Sequence, residues 1–145
     1  MNTTILLVDD DVSVRQSIAR VLDAEDFHVL SAANGNEALT ILQNQPVDLI
    51  LLDLNMPGKN GWETFQHISF DAPAVPVIII TARPNQLFPA LAAGAAALME
   101  KPLDFPKLLR TIRDLIAEPE SVRCARTAGK SAQFHYLPAP ATYAV

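Results

Sequence analysis

Five short, mostly apolar runs constrain the fold of this 145-residue chain more than any other feature. Thr4–Asp9, Val47–Asp53, Val75–Thr81 and Ala96–Glu100 are almost wholly apolar, and Phe27–Ala32 is shorter and more mixed. They lack the in/out alternation of a strand with one wet face, so they read as strands covered on both sides, as inside a parallel sheet. Between them the pattern is that of amphipathic helices. Val14, Ile18, Val21 and Leu22 form one helix face, with Asp11 placed to cap it. Ala38, Leu39 and Leu42 mark a second helix after the Asn34-Gly35 turn, and Trp62, Phe65 and Ile68 mark a third. The last helix carries Phe105, Leu108, Leu109, Ile112, Leu115 and Ile116, with Asp104 and Pro106 at its start. Pro84 and Pro89 interrupt the fourth pattern, whose regular part is predicted to begin only near Pro89 and to end by Gly94. Five βα units in succession imply a doubly wound α/β sandwich.

Half of the residues are hydrophobic and 19% are charged, ordinary values for a globular chain. The formal charge of −5 argues against a non-specific nucleic-acid or membrane-surface binder. No apolar run approaches the roughly 20 residues of a membrane span, and the N-terminus lacks the basic start of a signal peptide. Cys124 is the single cysteine, so no internal disulfide is available. A cytoplasmic protein is expected. Residues 1–118 hold eight Lys/Arg and fifteen Asp/Glu, a charge of −7, whereas residues 119–145 hold three and one, a charge of +2. This shift divides the chain into a domain, 1–118, and a flexible extension, 119–145, without sustained periodicity. Arg123, Arg126 and Lys130 give that extension its basic character, and its Phe134–Leu137 segment is a candidate for docking on a partner or on another copy.

Ligands of such sheets gather beyond the carboxyl ends of the strands. There the chain places Asp9, Asp10 and Asp11 after the first strand, Asp53 after the third, Thr81 after the fourth and Lys101 after the fifth. Asp11 is assigned to the helix cap. Clustered carboxylates raise one another's pKa and cost stability, a cost that a hard divalent cation removes. Mg²⁺ on Asp9, Asp10 and Asp53 suits a shallow oxygen-lined site. Asp53 is the natural nucleophile toward phosphorus, with Lys101 and the Thr81 hydroxyl to meet the phosphoryl oxygens.

Four segments together carry a specific resemblance: Leu7–Asp11 (Leu-Val-Asp-Asp-Asp), Leu51–Gly58 (Leu-Leu-Asp-Leu-Asn-Met-Pro-Gly), Ile80–Ala82 and Glu100–Leu103 (Glu-Lys-Pro-Leu). In this order they resemble the receiver domain of bacterial response regulators, over residues 4 to about 118. The resemblance implies a flavodoxin-like (βα)5 fold with five parallel strands in the order 2-1-3-4-5. It implies Asp53 as acceptor of a phosphoryl group from a histidine kinase or a histidine phosphotransfer protein, and Asp9 and Asp10 as the acidic Mg²⁺ pocket. It also implies the backbone carbonyl of Asn55 as a further Mg²⁺ ligand, Thr81 and Lys101 as switch residues, and a cis bond before Pro102.

Two features depart from the family pattern. Leu98 stands three residues before the lysine, where receivers usually carry a Tyr or Phe whose ring reports the state of the site. The segment from Thr81 to Lys101 is also about two residues short, which points to an idiosyncratic fourth helix. Arg83 and Asn55 flank the path of a water attacking the phosphoryl group and are expected to influence its lifetime. With 27 residues after 118, no DNA-binding output domain is expected, and signalling should run through a downstream protein target in a phosphorelay. Helix 4, strand 5 and helix 5 are the expected face of any homodimer. A phosphate-independent interaction module is the alternative. A haloacid-dehalogenase-type phosphatase is disfavoured because Asn55 stands where that class needs a second acid. Flavodoxin-like electron transfer is disfavoured because acids end the first strand. The chain is expected to be a phosphoacceptor rather than an enzyme.

Overall fold

Each apolar run becomes a strand, and each strand is followed by a helix. The computed structural model describes residues 3–55, 61–83, 85–127 and 134–139. Met56, Pro57 and Gly58 of the third-strand motif, Pro84 and Lys130 lie outside the described residues. The elements are β1 (Thr4–Val8), α1 (Val12–Ala24), β2 (His28–Ala32), α2 (Gly35–Asn44), β3 (Leu49–Asp53), α3 (Gly61–Asp71), β4 (Val77–Thr81), α4 (Leu87–Ala93), β5 (Ala97–Glu100), α5 (Phe105–Ile116), α6 (Glu120–Thr127) and β6 (His135–Leu137). All strand pairs are parallel, in the order β2-β1-β3-β4-β5-β6.

The sheet is a doubly wound one because successive side chains of each strand enter opposite layers. Leu6, Val8, Ile50, Leu52 and Ile79 pack with Ala38 of α2, Phe65 and Ile68 of α3 and Ala90 of α4. Ile5, Leu7, Leu49, Leu51, Ile78 and Ile80 pack with Ile18 and Leu22 of α1 and Leu108, Ile112 and Leu115 of α5. Every residue of β3 and β4 is buried, which explains why their runs are unbroken. Helix starts follow their sequence signals. The Asp11 carboxylate accepts from the amides of Ser13 and Val14, Asn34 from that of Glu37, and Asp104 from that of Lys107.

α4 begins at Leu87, two residues earlier than Pro89 suggested, and ends at Gly94 with φ 88°. Gln86 is the flanking residue, so Pro89 falls within the first turn, where a missing N–H breaks no helical bond.

The five-strand expectation is corrected to six, and the described residues of 119–145 form α6 and β6. α6 is fastened by charge rather than by an apolar stripe: Arg126 pairs with Glu118 at 2.6 Å, and Arg123 donates to the Ile116 carbonyl at 2.7 Å. β6 then lies along β5, with Ala97, Leu98 and Met99 opposite His135, Tyr136 and Leu137. Phe134 and Leu137 pack against opposite faces of the sheet. The described part of the extension therefore packs on the preceding domain, and the outer edge of β5, part of the expected homodimer face, is covered. Among the described residues no helix is long and apolar enough to cross a membrane.

One glycine carries the close approach between α3 and the end of β3. A Cβ on Gly61 would lie 2.6 Å from Leu54 Cα and 2.7 Å from its carbonyl oxygen, backbone atoms that cannot step aside. Gly61→Ala is expected to destabilise the chain by about 1–3 kcal/mol, the usual cost of forced overpacking. Urea unfolding checks this as a lower midpoint at unchanged slope.

Candidate functional site

The parallel register brings the carboxyl ends of β1, β3, β4 and β5 to one edge, and with them Asp9, Asp53, Thr81 and Lys101. Asp9 and Asp53 are 2% and 3% exposed and Thr81 is fully buried, whereas Asp10 is exposed. Each buried carboxylate is held by the amide two residues further on. Asp11 N–H donates to Asp9 Oδ1 at 2.9 Å, and Asn55 N–H donates to Asp53 Oδ1 at 2.8 Å. The Lys101 ammonium lies 3.0 Å from Asp53 Oδ2 and 3.9 Å from Asp9 Oδ2. Carboxylate oxygens of Asp9, Asp10 and Asp53 all fall within 4.8 Å of one another.

This arrangement is electrostatically incomplete. Burial, reinforced by the neighbouring Asp53, pushes the Asp9 carboxyl up to about 6, against the opposing pull of the Asp11 amide and Lys101. One ammonium does not offset two buried carboxylates. A divalent cation held by oxygens would, and the residues present fit one.

Thr81 and Lys101 are linked through the backbone, since the Lys101 amide donates to the Thr81 carbonyl at 2.9 Å. The Thr81 hydroxyl accepts from the Arg83 amide at 2.9 Å. The Lys101–Pro102 bond is cis, as the resemblance implied. Arg83 and Asn55, expected only to flank the site, touch one another: Arg83 Nε donates to Asn55 Oδ1 at 2.5 Å. Two contributors escaped the sequence reading. Arg15 donates to the Asp9 carbonyl at 2.5 Å, and its signal was its place in the first turns of α1, above the end of β1. Glu100, read as a strand end and the start of the Glu-Lys-Pro-Leu segment, accepts from Ala139 N–H at 3.1 Å and so ties the sheet edge to the C-terminal segment. His28 and His67 are exposed and His135 lies on β6.

An edge-on acidic pocket with a lysine and a threonine, set on a five-unit parallel α/β sheet, is the signalling-receiver type of site. The sequence profile described as "Response regulator receiver domain" matches residues 5–113. Protein PilH of Pseudomonas aeruginosa is 32% identical over 117 residues, covering 78% of this chain and 97% of PilH. The transcriptional regulatory protein CpxR of Klebsiella pneumoniae is 40% identical over 114 residues, covering 77% of this chain and 48% of CpxR, so the chain spans about half of that relative's length. The crystal structure of a CheY-like receiver domain protein from Methanospirillum hungatei superposes with a TM-score of 0.76 at 29% identity, covering 80% of this chain and 94% of that one. The chain belongs to the response regulator receiver family.

The raised Asp9 pKa has a thermodynamic consequence. Its ordinary value is 3.8, so between there and about 6 the folded chain keeps a proton that the unfolded chain gives up. The corresponding stabilisation is complete below the lower value and lost as pH rises through the upper one, a change on the order of 3 kcal/mol. In chelator, stability is expected to fall over that window, and Asp9→Asn should flatten the fall. Urea midpoints at about pH 4 and about pH 7 test the sign.

Proposed function

We propose that this chain is a phosphorylation-dependent receiver in which Asp53 accepts a phosphoryl group from a phosphohistidine of a sensor histidine kinase or phosphotransfer protein. An Asp53 carboxylate oxygen attacks phosphorus as the phosphorus–nitrogen bond of the donor breaks. The products are an acyl phosphate and a free imidazole. The observation that carries this reading is the convergence of Asp9, Asp10 and Asp53 around one point, with Lys101 at 3.0 Å from Asp53.

Asp9, Asp10 and Asp53, with the Asn55 carbonyl, are the groups that would hold Mg²⁺, whose charge would neutralise the phosphoryl oxygens and permit the approach of an anion. Lys101 supplies the positive charge for a further phosphoryl oxygen. The Thr81 hydroxyl, now an acceptor for the Arg83 amide, is placed to donate once it turns. Asp53, Thr81 and Lys101 are thus the catalytic residues of a self-modifying phosphoacceptor, which assists gain and loss of its own phosphoryl group without turning over another substrate.

An open groove of about 390 Å³ between α1 and the β5–α5 connection, lined by Val14, Ile18, Pro102, Leu103 and Phe105, also includes Lys101. It gives the donor an apolar footing beside the acceptor. Output runs through contacts with a downstream protein in the cytoplasm. The near-complete coverage of PilH supports a stand-alone receiver. The interaction-module alternative draws on Leu98, fully buried where the family usually places an aromatic.

Incubation with acetyl phosphate and Mg²⁺ is expected to add one phosphoryl group by intact mass. Asp53→Asn and added chelator should each abolish the gain, and Lys101→Ala should slow it at least about tenfold, the loss of one preorganised charge. Absence of uptake from both acetyl phosphate and a phosphorylated donor would select the phosphate-independent module instead.

A further inference from the structure

The feature outside the proposed reaction that the structure builds most deliberately is the attachment of β6 to Glu100. Glu100 is the last residue of β5 and the immediate neighbour of Lys101. Its carboxylate accepts from Ala139 N–H at 3.1 Å just after β6, and its charge acts on the Tyr136 phenol within β6. Partial desolvation and that carboxylate raise the phenol pKa above its ordinary value. One side chain thus holds the end of the C-terminal strand.

The backbone of the same residue lies inside the site's frame. Glu100 pairs with Thr81 across the β4–β5 ladder, and the next amide, that of Lys101, donates to the Thr81 carbonyl at 2.9 Å. Thr81 and Lys101 are the two groups that must reorganise when Asp53 is modified. In the free site, Lys101 is drawn in to Asp53 Oδ2, and the Thr81 hydroxyl is occupied by the Arg83 amide. A phosphoryl group on Asp53 carries its anionic oxygens further out, so both side chains must follow. The ends of β4 and β5 between them, Thr81 and Glu100, would take up that displacement.

β6 is the element least able to resist. It is a three-residue edge strand, and short edge elements occupy the low end of local stability. Tyr136 stands in register with Leu98, whose side chain is fully buried and has no polar atom with which to answer a change at the site. The polar group beside that position belongs instead to the C-terminal strand.

Resting on the receiver reading above, we propose that β6 is a latch on the phosphoryl site, docked when Asp53 is free and released when it is loaded, with the Glu100 contact to Ala139 as the coupling. Glu100 is a positioning residue, since it does not touch the reacting atoms. Release uncovers the edge of β5.

Hydrogen exchange of residues 134–139, followed in the full chain, tests the latch. The two states are Mg²⁺ alone and Mg²⁺ with beryllium fluoride, a tetrahedral stand-in for a phosphoryl group on a carboxylate. Loading is expected to speed exchange roughly 5- to 150-fold, the usual span of coupling between two sites. Glu100→Ala and Glu100→Leu should open the segment without beryllium fluoride and, by reciprocity, tighten its binding by the same factor. A chain that gains a phosphoryl group from acetyl phosphate while 134–139 keeps its protection overturns the latch and leaves the receiver reading standing. Variants that open the segment at unchanged beryllium fluoride affinity overturn it as well. A chain that takes up no phosphoryl group overturns the receiver reading, and the latch with it.

Discussion

The placement of two buried carboxylates against a single ammonium at the edge of the sheet is the constraint on which the rest depends. Asp9 and Asp53 are withdrawn from water, held from behind by backbone amides, and faced by Lys101. Such a site is costly to maintain, because removing charge from water is offset only by close and well-oriented partners. The surrounding sheet supplies the rigidity. Four adjacent strands end together, and their registers determine the separations of groups that come from positions 9, 53, 81 and 101. A slip of one residue in any of these strands would turn its side chains to the opposite layer and dissolve the cluster.

That rigid frame was legible because it is made of burial. Unbroken apolar runs such as Leu49–Leu52 and Val77–Ile80 can satisfy their composition only when both faces are covered, and both segments are entirely buried. The site was legible for a related reason: acids, a hydroxyl and a lysine following apolar strands stand out against their surroundings. The Asp11 cap was equally plain, since a carboxylate just before a helical pattern has few other uses there. What escaped was fastened by different forces. α6 is held by the Arg126–Glu118 ion pair and by the Arg123 contact with the end of α5, which leave no mark in hydrophobic periodicity. β6 is too short to show alternation, and its partner strand lies more than thirty residues back in the chain. The Arg83–Asn55 contact joins two loops across 28 residues and has no local signature.

Leu98 changes meaning in this setting. Taken as one residue of a motif, it is a missing ring. In the folded chain it is a well-packed member of the core layer that also contains Leu52 and Ile79, with Phe134 packed against that layer. The position stays apolar, while aromatic surface is supplied by Phe134 from the segment after α6. The side of the sheet beyond β5 is consequently assembled from two distant parts of the sequence.

The added strand also alters how the sheet meets its surroundings. Without β6, the boundary of the sheet would be Ala97–Met99, three buried apolar residues with open backbone donors and acceptors, the type of margin on which sheets of different molecules join and aggregate. With β6 in place the margin is only three residues long, presents a half-exposed tyrosine, and is followed at once by Pro138, which has no amide proton to continue a ladder. The C-terminal segment therefore acts as a selvedge for the sheet, and a chain shortened before residue 134 should be the more adhesive one in concentrated solution.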